Sequence, residues 1–310
     1  MNYKNQQYDR VEGLIKKNEI FNGDKGWGEF KGKKYKFILQ DNFNNLYAEC
    51  KNSICDYFDK NKISWWGGTL TNHTLSSQVA CLNHLFPIRN DKDAVLSIVK
   101  KVFPNVVDVM MIKSDKHMEA YIQFEAVSDA DNLNENCSTR GSNCTSVDAL
   151  VYGLHKDGRK ILFPIEWKYV EAYGNKNKAD DKSGGITRKK RYTNILNNSA
   201  QLKYDSHDIY YYEPFYQLMR QTIWAEQMIA HKDTETTKAD SYLHIHVIPG
   251  ENKQLLNKKY PISGKGMEDT WRDCLKDQSK YIIVQPKDFL KPVNDKKYAE
   301  WLNYLEKRYW

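Results

Sequence analysis

The stretch that decides the fold is Thr145-Ser146-Val147-Asp148-Ala149-Leu150. It is followed by His155-Lys156-Asp157-Gly158-Arg159 and then Phe163-Pro164-Ile165-Glu166-Trp167-Lys168. Two runs rich in β-branched and aromatic residues flank an Asp-Gly turn, the signature of a β-hairpin. The turn sets the register. A two-residue Asp157-Gly158 loop places Asp148 opposite Trp167. A three-residue Lys156-Asp157-Gly158 loop, with Gly158 left-handed, places Asp148 opposite Glu166. The apolar pattern selects the second. Val147, Ala149 and Val151 then share a face with Trp167, Ile165 and Phe163, while Asp148, Leu150 and Tyr152 share the other with Glu166, Pro164 and Leu162. A one-residue slip would scramble both faces. Pro164 is awkward in a central strand because it has no N–H for the ladder.

This register gathers two carboxylates and the Lys168 ammonium at one end of a hairpin. Carboxylates that close repel unless neutralised. A hard divalent cation such as Mg²⁺, or Mn²⁺ in its place, suits oxygen ligands. It can polarise a phosphoryl oxygen and acidify a bound water, so hydrolysis of a phosphodiester is the natural reaction. An exposed cluster of surface ion pairs is the alternative reading of the same residues.

Outward from the hairpin, the spacing predicts a helix capped by Thr74 or Ser76 and carrying Val79, Leu82, Leu85 and Phe86, and a second over Asp91–Val102. Met118, Ala120, Ile122 and Phe124 alternate with Glu119, Tyr121, Gln123 and Glu125 as a half-buried strand. An Asn/Asp/Ser-rich loop covers about 128–145, and a polar insertion occupies 174–206. A helix is expected from about Glu213 to His231, then strands Tyr242–Ile248 and Tyr281–Val284 and a helix at about 295–308. Residues 1–70 read as a mixed lead-in with a short aromatic strand over Lys34–Leu39 and a Trp65-Trp66-Gly67-Gly68 turn.

The Asp148…Glu166-Trp167-Lys168 pattern, with helix–strand–strand–strand–helix–strand order over about 74–250, resembles the PD-(D/E)XK nuclease superfamily. The likeness extends to restriction-like bacterial members through Ser76-Ser77-Gln78, Thr145-Ser146-Val147-Asp148 and Ile165-Glu166-Trp167-Lys168-Tyr169. The family's Pro before the Asp is absent, Val147 standing there. The resemblance implies an α/β fold with a mixed sheet flanked by helices, an N-terminal elaboration (1–70), a C-terminal extension (251–310) and a single domain over 1–310. It implies that Asp148 and Glu166 bind the metal, with the Trp167 carbonyl as a further ligand, and that Lys168 positions the water. A second Glu-x-Lys, Glu251-Asn252-Lys253, falls in a turn and carries no such context.

Glu125 ends the preceding strand and could reach the same metal, or be a solvated Glu. Gln78 resembles the polar helix position that supports metal-bound water, or is part of a cap. On helix 213–231, Gln217, Gln221 and Trp224 fall opposite the apolar face. The resemblance implies that a Gln there touches the active site, with Gln221 and Gln217 as the candidates and Gln221 taken as catalytic. Exposed polar filler is the expected reading for at least one of them. Glu226 falls inside the apolar stripe, so either it pairs with an Arg or Lys or the stripe is narrower than this. His244 and His246 share a strand face but have no third zinc ligand, which favours ordinary sheet residues.

The chain has 310 residues and a net charge of +7. The insertion holds eight basic residues against three acidic ones. Its Arg188, Lys189, Lys190, Arg191 and Tyr192 are candidates for gripping a nucleic acid beside the metal site. The expected partner is DNA, with a homodimer as the form that cuts both strands. A non-catalytic nucleic-acid-binding protein on the same scaffold and an RNA-directed nuclease are the alternatives. No apolar run is long enough to span a membrane and no secretory leader is seen, so a cytoplasmic location is expected. Cys50 and Cys55, five apart, and Cys137 and Cys144, seven apart, allow a weak metal site or a disulfide pair, but reduced thiols are the expectation.

Overall fold

The computed structural model describes residues 2–65, 67–114, 118–136 and 144–310, so Trp66, Cys137 and Asn143 lie outside it. Helix α1 (Tyr3–Lys17) opens the chain, followed by α2 (Lys51–Lys60), α3 (Ser77–Leu85) and α4 (Lys92–Val102). The strands β1 (Val106–Met110), β2 (Ile122–Ala126), β3 (Val147–His155) and β4 (Lys160–Trp167) come next. Then α5 (Lys182–Asn197), α6 (Phe215–Ala230), β5 (His244–Val247), β6 (Tyr281–Val284) and α7 (Ala299–Arg308) complete the frame.

The main sheet is mixed and runs β6-β5-β4-β3. Strands β3 and β4 are antiparallel, and β4, β5 and β6 are parallel. The far edge of β3 is shared: β2 pairs with its first half and β1 with its second. The fold is the expected restriction-endonuclease-like α/β core.

The hairpin register follows the apolar pattern. Ala149 pairs with Ile165, Val151 with Phe163 and Tyr152 with Leu162. His155 N–H donates to Arg159 O at 2.8 Å and Gly158 N–H to His155 O at 2.9 Å, closing the three-residue loop. Gly158 has φ +89°, a conformation that glycine adopts without a Cβ clash.

Helices cover both faces of the sheet, so β3 and β4 are nearly continuous apolar runs. Ala149, Val151, Phe163, Ile165 and Trp167 pack with α1, α2, α3, α4 and α7. Leu150, Tyr152 and Leu162 pack with α5, α6 and the helix Met267–Asp273. Val147 departs from expectation and joins this second core. It pairs with Ala126, which joins the same core, beside Glu125 with its φ of +48°.

Helices α3 and α4 form where predicted. The Ser76 hydroxyl accepts from Val79 N–H, and Asp91 Oδ1 accepts from the N–H groups of Asp93 and Ala94. The strand expected over 118–125 is broken at Tyr121, whose N–H donates to Arg89 O. The strand expected over Tyr242–Ile248 is likewise split, into Ser241–Tyr242 and β5. The insertion is no loop: it folds into α5, whose Gly184-Gly185 pair and charge run hide the helical pattern. An added Cβ at Gly185 would stand 2.1 Å from the Ala179 carbonyl oxygen, so only glycine fits there. Among the described residues, no helix is long and apolar enough to cross a membrane.

Cys50, Cys55, Cys81 and Cys274 are free. Cys144 is disulfide-bonded, which corrects the expectation of reduced thiols at that position.

Candidate active site

Register alone carries a row of polar side chains across four strands. Phe124 pairs with Ala149 and Ala126 with Val147, so Glu125 stands opposite Asp148. Continuing the hairpin ladder one step beyond Ala149–Ile165 sets Asp148 opposite Glu166, and Glu166 pairs with His246. Three carboxylates therefore lie side by side at the ends of β2, β3 and β4. Glu166 and Glu125 are buried, and Asp148 is half-buried.

Each carboxylate has a defined neighbourhood. Asp148 Oδ2 accepts from Trp167 N–H at 2.7 Å. Among the described residues none donates to its Oδ1. Glu125 accepts from Gln78 Nε2 at 2.7 Å and from the Ser146 hydroxyl at 3.0 Å. Glu166 is held at both oxygens, by Lys168 Nζ on one and Gln221 Nε2 on the other. Gln221 also donates to Ser146 O at 3.2 Å. Lys168 Nζ, itself buried, donates to Gln217 Oε1 at 2.5 Å. Its backbone N–H goes to Val247 O, which ties it to β5. Both glutamines of α6 thus face the acidic row, and neither is exposed filler.

The electrostatics follow from crowding. Burial, and then the charges of Glu166 and Glu125, push the Asp148 carboxyl well above the usual range. Burial raises Glu125 too, against the pull of its bonds to Gln78 and Ser146. Burial works to lower Lys168, but Glu166, Tyr173, Glu171 and Asp148 outweigh it and hold the ammonium well above its ordinary value. One buried cation faces three carboxylates, so the row is under-compensated. Its all-oxygen chemistry and the donor-free Asp148 Oδ1 fit a hard divalent cation. Asp148, Glu166 and the Trp167 carbonyl could hold it, with Glu125 beside them. Among the described residues no three or more His, Cys, Asp or Glu side chains form a ready-made metal cage. Further ligands would be water or substrate oxygens.

The basic segment is tied through Glu135 to α6, the helix that carries Gln217 and Gln221. Lys189 and Lys190 are exposed. Arg188 is half-buried, bound to Asp181 at 2.9 Å and to Lys178 O. Arg191 donates to Glu135 O at 3.3 Å. Tyr192 needs correction as a nucleic-acid contact. Its ring is fully buried in the second core, and its hydroxyl donates to Glu135 at 2.5 Å. It sits on the inward face of α5.

Glu135 was hidden in the sequence. It ties together the Thr145 hydroxyl at 2.6 Å, Tyr192 on α5 and Arg220 on α6 at 3.1 Å. It anchors the entry to the Asp148 strand, yet stands in an Asn/Asp-rich loop that has no periodicity to mark it. Glu226 finds the Ser199 hydroxyl at 2.6 Å as its partner, not an Arg or Lys. Trp224 is buried in the second core, on the same side of α6 as Gln217 and Gln221. His244 and His246 are buried sheet residues, His246 Nδ1 lying 2.8 Å from the Tyr281 hydroxyl.

The sequence profile of one family, described as Restriction Endonuclease associating with ARP, matches residues 3–310. No curated protein and no solved structure matches the chain.

Proposed function

The chain belongs to that family of restriction endonucleases, and on this footing we propose that it is a Mg²⁺-dependent endonuclease that hydrolyses DNA phosphodiesters in restriction or mobile-element defence. The observation that carries the proposal is the register that sets Asp148 opposite Glu166 with Lys168 beside it.

In this reading Asp148, Glu166 and the Trp167 carbonyl would hold the cation, with Glu125 as a further candidate ligand. When bound, Mg²⁺ supplies Lewis acidity toward a phosphoryl oxygen and lowers the pKa of a coordinated water. The protein's own groups do the rest. Lys168 has three N–H donors. Two go to Glu166 and Gln217, and the ammonium would orient a water or offset charge on the phosphate. Gln221 fixes Glu166 by its second oxygen, so the carboxylate cannot rotate away. Lys189 and Lys190 on α5 offer charge to the phosphate backbone. Cutting both strands calls for two such sites, which a homodimer supplies. Association with ARP, named in the family's description, is carried to this chain as part of the same proposal.

The test is incubation of the purified protein with plasmid, linear duplex, single-stranded DNA and RNA, with Mg²⁺ or EDTA. Cleavage of plasmid and duplex only with Mg²⁺ is expected, and its loss in Asp148→Ala and Lys168→Ala with the fold intact by circular dichroism. Full activity of either variant, or cleavage confined to RNA, refutes the assignment.

A further inference from the structure

A second basic feature stands apart from α5. Strands Gly28–Phe30 and Lys33–Tyr35 form an antiparallel hairpin across Lys31-Gly32, with Gly28 opposite Tyr35 and Phe30 opposite Lys33. Residues 25–36 contain Lys25, Lys31, Lys33, Lys34 and Lys36 against the single acid Glu29. All five lysines are exposed. Like charges packed this closely repel one another, and an anion laid across them removes the cost.

The hairpin also presents an aromatic face. Trp27 is 54% exposed and has φ +60°, a backbone state unusual for a bulky residue. Its neighbours explain how it is held. An added Cβ on Gly26 would lie 2.1 Å from Lys36 O, and one on Gly28 would lie 1.9 Å from Leu39 O. The two glycines let the backbone press flat against 36–39, and the indole is thrust outward, with Lys36 Nζ 5.8 Å from its ring centroid. A large apolar ring left in water beside lysines is the combination that binds a nucleic-acid strand, charge to phosphate and ring to base.

The base of the hairpin is rigid. Buried Asp24 accepts from the N–H groups of Gly26 at 2.8 Å and Asp41 at 3.0 Å. Phe37 stacks on Tyr8 with ring centroids 4.0 Å apart, and Phe30 meets His73 edge-on at 4.8 Å. The Thr74 hydroxyl donates to Phe37 O at 2.7 Å. Four residues on, Gln78 holds Glu125 of the acidic row.

We propose that this hairpin is a DNA clamp beside the cleavage site, in which Lys31, Lys33, Lys34 and Lys36 contact backbone phosphates and the Trp27 indole stacks on a base. The proposal rests on the nuclease reading for the identity of the strand.

The test is fluorescence anisotropy with labelled duplex and single-stranded oligonucleotides in EDTA, across a salt series, on the full chain. The variant Lys31→Gln/Lys33→Gln/Lys34→Gln/Lys36→Gln should reduce the slope of log K against log salt by about 3 to 4. A control that neutralises exposed Lys100 and Lys101 on α4 should change it less. Trp27→Asn, which keeps a side chain tolerant of positive φ, should weaken single-strand binding about tenfold. An unchanged slope in the hairpin variant, or an equal loss in the control, overturns the clamp. Cleavage is scored in parallel with Mg²⁺. Hairpin-dependent binding without cleavage upholds the clamp and refutes the nuclease, whereas cleavage with hairpin-independent binding does the reverse.

Discussion

The Trp167 N–H donates to Asp148 Oδ2 at 2.7 Å, a bond made across two strands whose alignment is set by a turn at Gly158. It holds a carboxylate in place that its surroundings disfavour in the charged form.

A first expectation concerns that strain. The Asp148 carboxyl is raised well above its ordinary range by burial and by Glu166 and Glu125. A raised folded pKa means the folded state keeps the proton longer than the unfolded one. Stability therefore falls as pH climbs from the ordinary carboxylate value through the raised one. Asp148→Asn retains an oxygen for Trp167 N–H and removes the charge. In EDTA it should raise Tm by about 2–4 °C at pH 8, and by less at pH 5, while abolishing cleavage. Calorimetry at the two pH values checks this, and a lower Tm at pH 8 contradicts it.

Gln221 bridges Glu166 and Ser146 O, so it links β4 to the entry of β3. Gln221→Leu should weaken Mg²⁺ affinity or cleavage about 10- to 100-fold, the usual effect of removing a group that orients a ligand. A Mg²⁺ titration of the cleavage rate reads it. Activity should return at high Mg²⁺, and an unshifted titration would show that the bond is idle.

Glu135 is buried against Arg220, Tyr192 and Thr145. Glu135→Leu leaves the guanidinium without its carboxylate and should cost about 3 kcal/mol. Tyr192→Phe removes one hydrogen bond and should cost about 1 kcal/mol. Urea unfolding of both variants measures the difference, and equal losses would deny Glu135 its linking role.

His84 is buried between Trp167 and Tyr309, with Nδ1 2.7 Å from Ala80 O. Burial lowers its pKa from 6.5 to about 3. Its contribution to stability is full above pH 6.5 and is lost as pH falls from 6.5 toward 3, because only the unfolded chain takes up the proton there. His84→Phe should make the acid limb of a stability–pH curve shallower by about 1.4 kcal/mol per pH unit. An unchanged slope between pH 6 and 4 would contradict it.

The hairpin was legible because its two faces differ and its turn admits one reading. Ala149, Val151, Ile165 and Phe163 could share a face only with Asp148 opposite Glu166. The contacts of α6 were half legible. Gln217 and Gln221 sit opposite the apolar stripe, but Gln221 and Trp224 are buried on that side too, because this face of α6 meets the acidic row and not water. Helix α1 carried an overlooked signal in Tyr3, Gln7, Val11 and Leu14, spaced by four, four and three and capped by Asn2. Strand β1 is a short edge strand, with Val107 exposed and a register shift between Val106 and Asp108, so it had little period to show. The third carboxylate could be named but not aimed. The positive φ of Glu125 is a local backbone state that no alternation of residues announces.

Helix α3 also limits how the protein can be cut down. The Trp301 indole N–H donates to Asn83 O at 2.8 Å, and Asn83 Nδ2 donates to the Tyr309 hydroxyl at 2.9 Å. Arg308 reaches back to Asn45 O at 2.7 Å. The helix that presents Gln78 is thus walled in by a segment more than 200 positions downstream. A minimal fragment of residues 74–250 would bare Val79, Leu82 and Leu85 to water and would expose a sticky apolar surface beside its acidic row. The smallest excisable unit that keeps α3 in place must retain α7 and the segment around Asn45.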